Sequence, residues 1–331
     1  MMSERVLVLF DEDEEYAGLM GEYLMGCKGL PWKIAVCTSE TDLLKICSGR
    51  NPVVVTSSTS YNERLRGAGA SKIIVLNDGS GICVEPVIEK YQPAEETLRR
   101  ILEIYMSDVD EESAPSIKPS GDRAKLIGVF SPVRRCYQTT FSVLMGRLLE
   151  DRGRVLYLSF EFCEGSEELI PPDNAGNLSD LMYFIKSPPS VFSIRFRSMV
   201  RTIAGGLDYI PCAVPGTDLV EIPEDEWKTF LMRICTLENY SYVILDLSEC
   251  IRGIFGILRM CDNVYTLTRN DKVARTKIES YENVLRMYDY SDVKEKSIKC
   301  SIPSVNRVPS FAGDDLSGEL VAFIRKQMEV L

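Results

Sequence analysis

Short runs of Val, Ile and Leu recur along this 331-residue chain, and most are followed by a stretch whose apolar residues fall at helical spacing. Strands joined through helices cannot turn back as hairpins, so the alternation requires parallel strands in a sheet covered by helices. Arg5-Val-Leu-Val-Leu-Phe10 is the first run, and Tyr16, Met20, Tyr23 and Leu24 follow it on one helical face. Further runs at Lys33 to Val36, Val53 to Val55 and Ile73 to Leu76 are separated by polar or helical stretches such as Glu40 to Cys47. After Gln92-Pro93, residues Leu98, Ile101, Leu102 and Tyr105 make the amphipathic stripe of a helix that closes such a sheet.

From about Ser107 to Arg123 the chain turns acidic and rich in Ser and Pro, the composition of a linker. A second series then opens with Lys125-Leu-Ile-Gly-Val-Phe130 and continues through Val155 to Leu158, Tyr209-Ile210, Tyr242 to Leu245 and Val264 to Leu267. The predicted organisation is therefore α/β throughout: a first domain over 1–106, a linker over 107–123 and a second domain over 124–331. The last segment places Leu316, Leu320, Phe323, Ile324 and Met328 on one helical side. Asp315, Glu319 and Glu329 deny that helix the basic face that binding anionic lipid favours, so no stable membrane insertion is expected.

Composition removes several function classes. The chain has no histidine, and a Ser-His-Asp or Cys-His relay needs an imidazole titrating near neutrality. Its 11 cysteines include no Cys-x-x-Cys pair, so neither a zinc site nor a disulfide framework has support, and buried reduced thiols are the plainer reading. A net charge of −11 disfavours nucleic acid, whose non-specific affinity comes from Lys and Arg on phosphate. The basic clusters Arg195, Arg197, Arg201 and Arg269, Lys272, Arg275, Lys277 read as solvated faces. With no long apolar run and no basic signal-type start, the expected location is the cytoplasm.

Two stretches hold candidate chemistry. After the first strand come Asp11, Glu12 and Asp13, an acid group suited to a divalent cation or to a solvated turn. A phospho-accepting receiver would also need an aspartate ending its third strand. Here Val55 runs into Thr56, Ser57 and Ser58, which cannot form an acyl phosphate. Lys90 matches the lysine such a domain carries after its fifth strand. Residues Asp11, Glu12, Asp13, Thr56 and Lys90 thus outline a flavodoxin-like receiver pocket without its phosphorylation chemistry, leaving an interaction module.

The second stretch is Ser131-Pro-Val-Arg-Arg-Cys-Tyr-Gln-Thr-Thr140, lying between a strand and the helical run Phe141 to Asp151, where a phosphate cradle belongs. Its register resembles the deviant Walker A loop of the ParA/MinD family, Lys-Gly-Gly-x-Gly-Lys-Thr-Thr, with Thr139 and Thr140 kept. Val133 takes the place of the signature lysine, Arg134, Arg135 and Tyr137 those of the glycines, and Gln138 that of the second lysine. Loss of three glycines predicts a reshaped loop, because side chains disfavour the backbone angles glycine supplies. Loss of both lysines predicts loss of γ-phosphate cleavage. Arg134 and Arg135 are candidate anion ligands in their stead, the alternative being a relic loop whose arginines face water. Glu161 after the next strand, and Asp246 ending Tyr242-Val-Ile-Leu-Asp246, stand in the order the family's remaining acids would. The nucleotide set implied is Arg134, Arg135, Gln138, Thr139, Thr140, Glu161 and Asp246, with Thr139 and Asp246 as the Mg²⁺-associated pair. No base-contacting asparagine strand is recognisable between Arg286 and Ile302-Pro303.

A degenerate receiver followed by such a domain is similar to the TadZ/CpaE group of Tad-type pilus assembly and polar positioning. The pieces that carry the likeness are Ser131-Pro132-Val133 leading to Thr139-Thr140, Val155 to Glu161, and Lys90-Tyr91-Gln92-Pro93. The resemblance implies a homodimer at a cell pole or the inner face of the membrane, contacting pilus or secretion proteins, with ATP and Mg²⁺ as family cofactors. Three readings stay open: a non-catalytic positioning or assembly factor, an ATP-dependent dimerisation switch with slow turnover, and a signalling regulator acting through its first half.

Overall fold

The computed structural model describes residues 5–27, 30–79, 86–107, 123–162, 176–203, 206–213, 216–303 and 316–331. Most of the expected linker lies outside these residues, as does Asp315. The first half alternates β1 (Val6–Phe10), α1 (Glu14–Gly26), β2 (Lys33–Cys37), α2 (Glu40–Arg50), β3 (Val53–Ser57), α3 (Glu63–Arg66), β4 (Lys72–Asn77), β5 (Val87–Glu89) and α4 (Ala94–Ser107). The second begins with β6 (Lys125–Phe130), α5 (Gln138–Leu149), β7 (Val155–Ser159), α6 (Leu178–Met182), α7 (Pro189–Met199), β8 (Arg201–Thr202) and β9 (Asp208–Ile210). It continues through α8 (Thr217–Glu221), α9 (Glu224–Leu237), β10 (Tyr242–Asp246), α10 (Ile254–Met260) and β11 (Asn263–Thr268). Its last elements are α11 (Lys272–Met287), α12 (Ser291–Glu295), β12 (Ser297–Ser301) and α13 (Glu319–Gln327).

The chain divides into two compact units, one of Met1–Ser116, Asn174–Gly176 and Lys186–Met199, the other of Ile117–Asp173, Asn177–Ile185 and Val200–Leu331. In the first, five parallel strands run in the order β2-β1-β3-β4-β5, the flavodoxin-like doubly wound order. The all-buried patterns of β1 and β3 are those of strands covered on both faces. Helix α7, from beyond residue 186, packs against α4 of this unit. It carries Arg195, only 1% exposed, so of Arg195, Arg197 and Arg201, read together as a solvated face, only Arg197 is exposed and Arg201 is half-buried. Residues two apart on a helix point to different sides.

The second unit holds seven strands in the order β12-β11-β6-β10-β7-β9-β8, all parallel except β8, which runs antiparallel to β9. Strand β12 was not legible in Ser297-Ile-Lys-Cys-Ser301, and it ends in no asparagine. Helix α5 is buried from Thr140 to Leu149 and lies on β7 and β10. Gly146 permits that approach, since a Cβ there would meet Leu207 Cδ1 at 2.8 Å. Helix α13 packs on α5, and its Leu320, Val321 and Ile324, with Met328 just beyond its end, are buried in the core. The apolar face noted in sequence is thus committed internally. Among the described residues no helix is long and apolar enough to cross a membrane, no two cysteines form a disulfide, and only Cys250 of the cysteines is exposed.

Candidate functional site

In each unit the polar candidates gather where parallel strands end, the edge at which open α/β sheets bind ligands. In the first unit Asp11 follows β1 and Lys90 follows β5, and their side chains pair at 2.8 Å with 1% and 2% exposure. The Lys90 Nζ also lies 4.6 Å from the centre of the Tyr16 ring, a cation–π contact in a dry setting. Asp11 Oδ1 accepts from the Asp13 N–H at 3.0 Å. Asp13 serves as N-cap of α1, accepting from the Tyr16 N–H, and stands 4.0 Å from Lys90 Nζ. Glu12 is exposed. The acid group is therefore divided among an ion pair, a helix cap and solvent. Among the described residues no three His, Cys, Asp or Glu side chains are placed to hold a metal ion.

Thr56 is fully buried and its hydroxyl has no hydrogen-bond partner among the described residues. The register pairs Phe10 with Thr56, so the residue level with Asp11 is Ser57. Ser57 Oγ donates to Ser60 Oγ at 2.9 Å, and Ser60 Oγ accepts from the Glu12 N–H at 3.0 Å. Asp78 after β4 accepts from Ser58 Oγ at 2.5 Å and Thr59 Oγ1 at 2.7 Å. Sequence reasoning missed Ser57, Ser60 and Asp78. The signal available was the unbroken Thr56-Ser-Ser-Thr-Ser60 run after an apolar strand.

In the second unit β6, β10 and β7 are adjacent, which brings the Ser131–Tyr137 loop, Asp246 and Glu161 to one edge. Arg134, Arg135 and Tyr137 adopt φ of 64°, 51° and 54°, the left-handed region that glycine occupies freely. Three side-chain-bearing residues of this loop thus hold positive φ. Such a residue costs roughly 1–3 kcal/mol, and the surroundings must over-determine it. Ser131 does part of this: its hydroxyl donates to the Leu267 carbonyl at 2.9 Å and accepts from the N–H groups of Val133 and Arg134 at 3.3 and 3.2 Å. Val133, at the signature-lysine position, is buried in the core, and Lys277 Nζ reaches its carbonyl at 3.4 Å.

Gln138 opens α5 and turns its amide inward. Its Nε2 donates to Asp246 Oδ1 at 2.6 Å and to the Leu247 carbonyl at 2.9 Å. Tyr157 Oη donates to the other oxygen, Asp246 Oδ2, at 3.0 Å. Burial pushes the Asp246 carboxyl up from its ordinary value, against hydrogen bonds from Gln138, Thr139 and Tyr157 that lower it. Among the described residues no cation pairs with it as Lys90 pairs with Asp11. Glu161 is pushed up to about 7, first by burial and then by the Asp246 charge, with Arg134 pulling the other way. Thr140 is buried at the start of α5 and Thr139 half-buried.

Two clefts flank the loop. One, of about 380 Å³, is lined by Ser131, Arg134, Gln138, Glu161 and Glu249 among others, and Arg134 is spent there in an ion pair with Glu249. The other, of about 750 Å³, lies between the loop and the ends of β11 and β12, lined by Tyr137, Arg269, Asn270, Asp271, Ile302 and Pro303 among others. Arg135 lines both and has no hydrogen-bond or ion-pair partner among the described residues. Asn270 stands two residues beyond β11, ahead of the Arg286–Pro303 segment in which no asparagine-ended strand is recognisable.

No protein-family model and no curated protein sequence matches the chain. Among solved structures it is similar to a plasmid partition protein from Borrelia burgdorferi B31 bound to AMPPNP, at 14% identity over 63% of this chain and 98% of that one, with a TM-score of 0.46. A ParA family ATPase from Chlorobium tepidum TLS is similar at 15% identity over 62% of this chain and 81% of that one, TM-score 0.46. A complex of a Cyanothece McdA variant with ATP is similar at 15% identity over 55% of this chain and 71% of that one, TM-score 0.43.

Proposed function

We propose that this chain is a ParA/MinD-type P-loop protein that does not hydrolyse ATP and acts as a positioning or assembly scaffold, of the kind the TadZ/CpaE group supplies to pilus or secretion machinery. The observation that carries the reading is the Gln138 amide on Asp246 Oδ1 at 2.6 Å. Where the family motif places a lysine to neutralise β- and γ-phosphate charge, an uncharged group is tied to the acid that would serve Mg²⁺. With Tyr157 on the second carboxylate oxygen and Val133 in the core, Mg²⁺ and a triphosphate do not fit the loop as built. The flavodoxin-like strand order and the Asp11–Lys90 pair support a receiver-like first domain that makes protein contacts rather than accepting phosphate. Pairing of two copies, a cytoplasmic site at a pole or the membrane's inner face, and pilus proteins as partners belong to the same reading.

The test is phosphate release from Mg-ATP by the purified full chain, expected to stay at background. Turnover that disappears in Asp246→Ala would overturn the proposal. A fluorescent tag in the native cell is expected to give a localised focus, and a uniform signal would remove the positioning role.

A further inference from the structure

Each sheet ends in two open strands, and three of these four edges are protected. Strand β8 has two residues and β5 three, while β12 carries the half-exposed Lys299 in the middle of its edge. Short edges and a central lysine both discourage another strand from adding on. Strand β2 has neither device. Its five residues read Lys-Ile-Ala-Val-Cys, with the one charge at the start and Ile34, Ala35 and Val36 partly exposed. The Lys33 N–H donates to the Arg5 carbonyl at 2.9 Å and the Cys37 carbonyl accepts from the Asp11 N–H at 3.3 Å, so residues 33, 35 and 37 direct their backbone groups at β1. By the alternation of a strand, Ile34 and Val36 direct theirs outward. Among the described residues nothing bonds to those two N–H and two C=O groups. A Cβ on Gly21 would meet Val36 Cγ2 at 2.5 Å, so α1 rests directly on this edge strand. Val36 and Ile34 therefore face α1, and Ala35 faces the core cluster on the other side of the sheet. Met25, one turn beyond Gly21 on the same side of α1, is 57% exposed.

We infer that β2 is the interface between two copies of this chain, joined antiparallel about a two-fold axis at Ala35 and without nucleotide. The strand is its own complement. Ile34 of one copy stands opposite Val36 of the second copy as a hydrogen-bonded pair, and Val36 opposite Ile34 likewise, which satisfies all the outward N–H and C=O groups in four bonds. Ala35 meets Ala35 at the close, non-hydrogen-bonded spacing of about 4.5 Å, where a small side chain fits. On the α1 face the β-branched residues pair across the seam, with Met25 of each copy beside them. Charge favours a second copy as the occupant: in a chain of net charge −11 the middle of this strand is uncharged, and Lys33 falls opposite Cys37 rather than opposite itself. A two-fold is also the commonest symmetry of a homo-oligomer. The inference rests on the pairing part of the proposed function and gives it a surface, in the first unit and away from the P-loop.

The experiment is sedimentation equilibrium of the full chain in EDTA, from about 1 to 300 µM. So short a seam buries less than a standard interface, and a dissociation constant of about 10–100 µM is expected. Ile34→Lys, which copies the protection of β12, and Ile34→Pro, which removes an outward N–H and leaves the β1 ladder whole, are each expected to weaken pairing by about tenfold or more. Met25→Glu, on an exposed helix position, is expected to weaken it by about threefold. Met287→Glu, at the 79% exposed methionine of α11 in the second unit, is expected to leave it within about twofold. A urea midpoint for each variant shows that it folds. Hydrogen exchange on the unaltered chain gives a second readout: amide protection at Ile34 and Val36 is expected to rise with protein concentration, while Ala35 stays protected throughout. A dimer that survives both Ile34 variants, or exchange at Ile34 and Val36 that ignores concentration, overturns this surface and leaves pairing elsewhere standing. A chain that stays monomeric over the whole range overturns the surface and the pairing together, and neither result touches the reading of the P-loop, which the phosphate-release assay decides.

Discussion

The two units end their parallel strands in polar pockets, and they close those pockets with different partners. In the first, an ammonium meets a carboxylate: Lys90 and Asp11 are 2.8 Å apart and almost wholly buried. In the second, an amide and a phenol meet a carboxylate: Gln138 and Tyr157 engage the two oxygens of Asp246. The internal cation makes the first pocket electrically complete, whereas the second is left with raised proton affinity at Asp246 and Glu161 and an idle guanidinium at Arg135. A pocket whose charges are paired from within has none left to offer an ion. One satisfied only on its acidic side still has something to offer an anion.

The largest effect separating them is expected from Lys90→Met. Removing one member of a buried ion pair leaves the other charge stranded, at a cost of about 3–5 kcal/mol. Urea unfolding measures it, and the double variant Asp11→Leu/Lys90→Met should recover much of the loss. A Lys90→Met chain as stable as the parent would show that the pair carries little and would dissolve the contrast. Tyr157→Phe comes next, because it takes one hydroxyl from a buried carboxylate without changing shape, worth about 1.5–3 kcal/mol. If it matches or exceeds Lys90→Met in the same assay, the ranking of the two pockets is reversed.

Smaller is the effect of Tyr137→Gly, which relieves a left-handed residue at φ 54° while adding chain entropy to the unfolded state. A net gain of about 0.5–1 kcal/mol is expected, read as a higher urea midpoint with unchanged slope. A loss would mean that the Tyr137 side chain holds the loop more strongly than its backbone resists. Last comes the effect of pH at Glu161, whose half-buried carboxyl is partly screened by solvent. Its carboxyl is raised to about 7 from 4.5, so the folded chain binds that proton more tightly than the unfolded one. Its contribution to stability is full below about 4.5 and is lost as pH rises toward 7. Glu161→Gln should flatten that part of the stability profile, measured by thermal denaturation between pH 5 and about 8, and an unchanged slope would relocate the effect elsewhere.

The sheets were legible because their strands are nearly continuous apolar runs, as in Lys125 to Phe130, which became β6 without adjustment. Strand β12 was not, because Ser297-Ile-Lys-Cys-Ser301 carries too few apolar residues and sits at a sheet edge. In the Ser131–Tyr137 loop residue types were readable and backbone angles were not: Arg134, Arg135 and Tyr137 hold positive φ, and the ties around Ser131 help to keep them there. The partner of Gln138 was invisible for another reason. It stands 108 positions away, and only the sheet order brings β10 beside β6.

Helix α7 has a practical bearing on anyone wishing to study the halves apart. The first unit is stitched from separate stretches, with Lys186–Met199 arriving after the second sheet has begun. A fragment stopped at residue 116 would leave the α4 side that receives α7 uncovered, and the remaining fragment would carry Val191, Phe192 and Phe196 with no α4 to rest on. No single scission yields two whole products, so the halves are best probed by substitutions in the intact polypeptide.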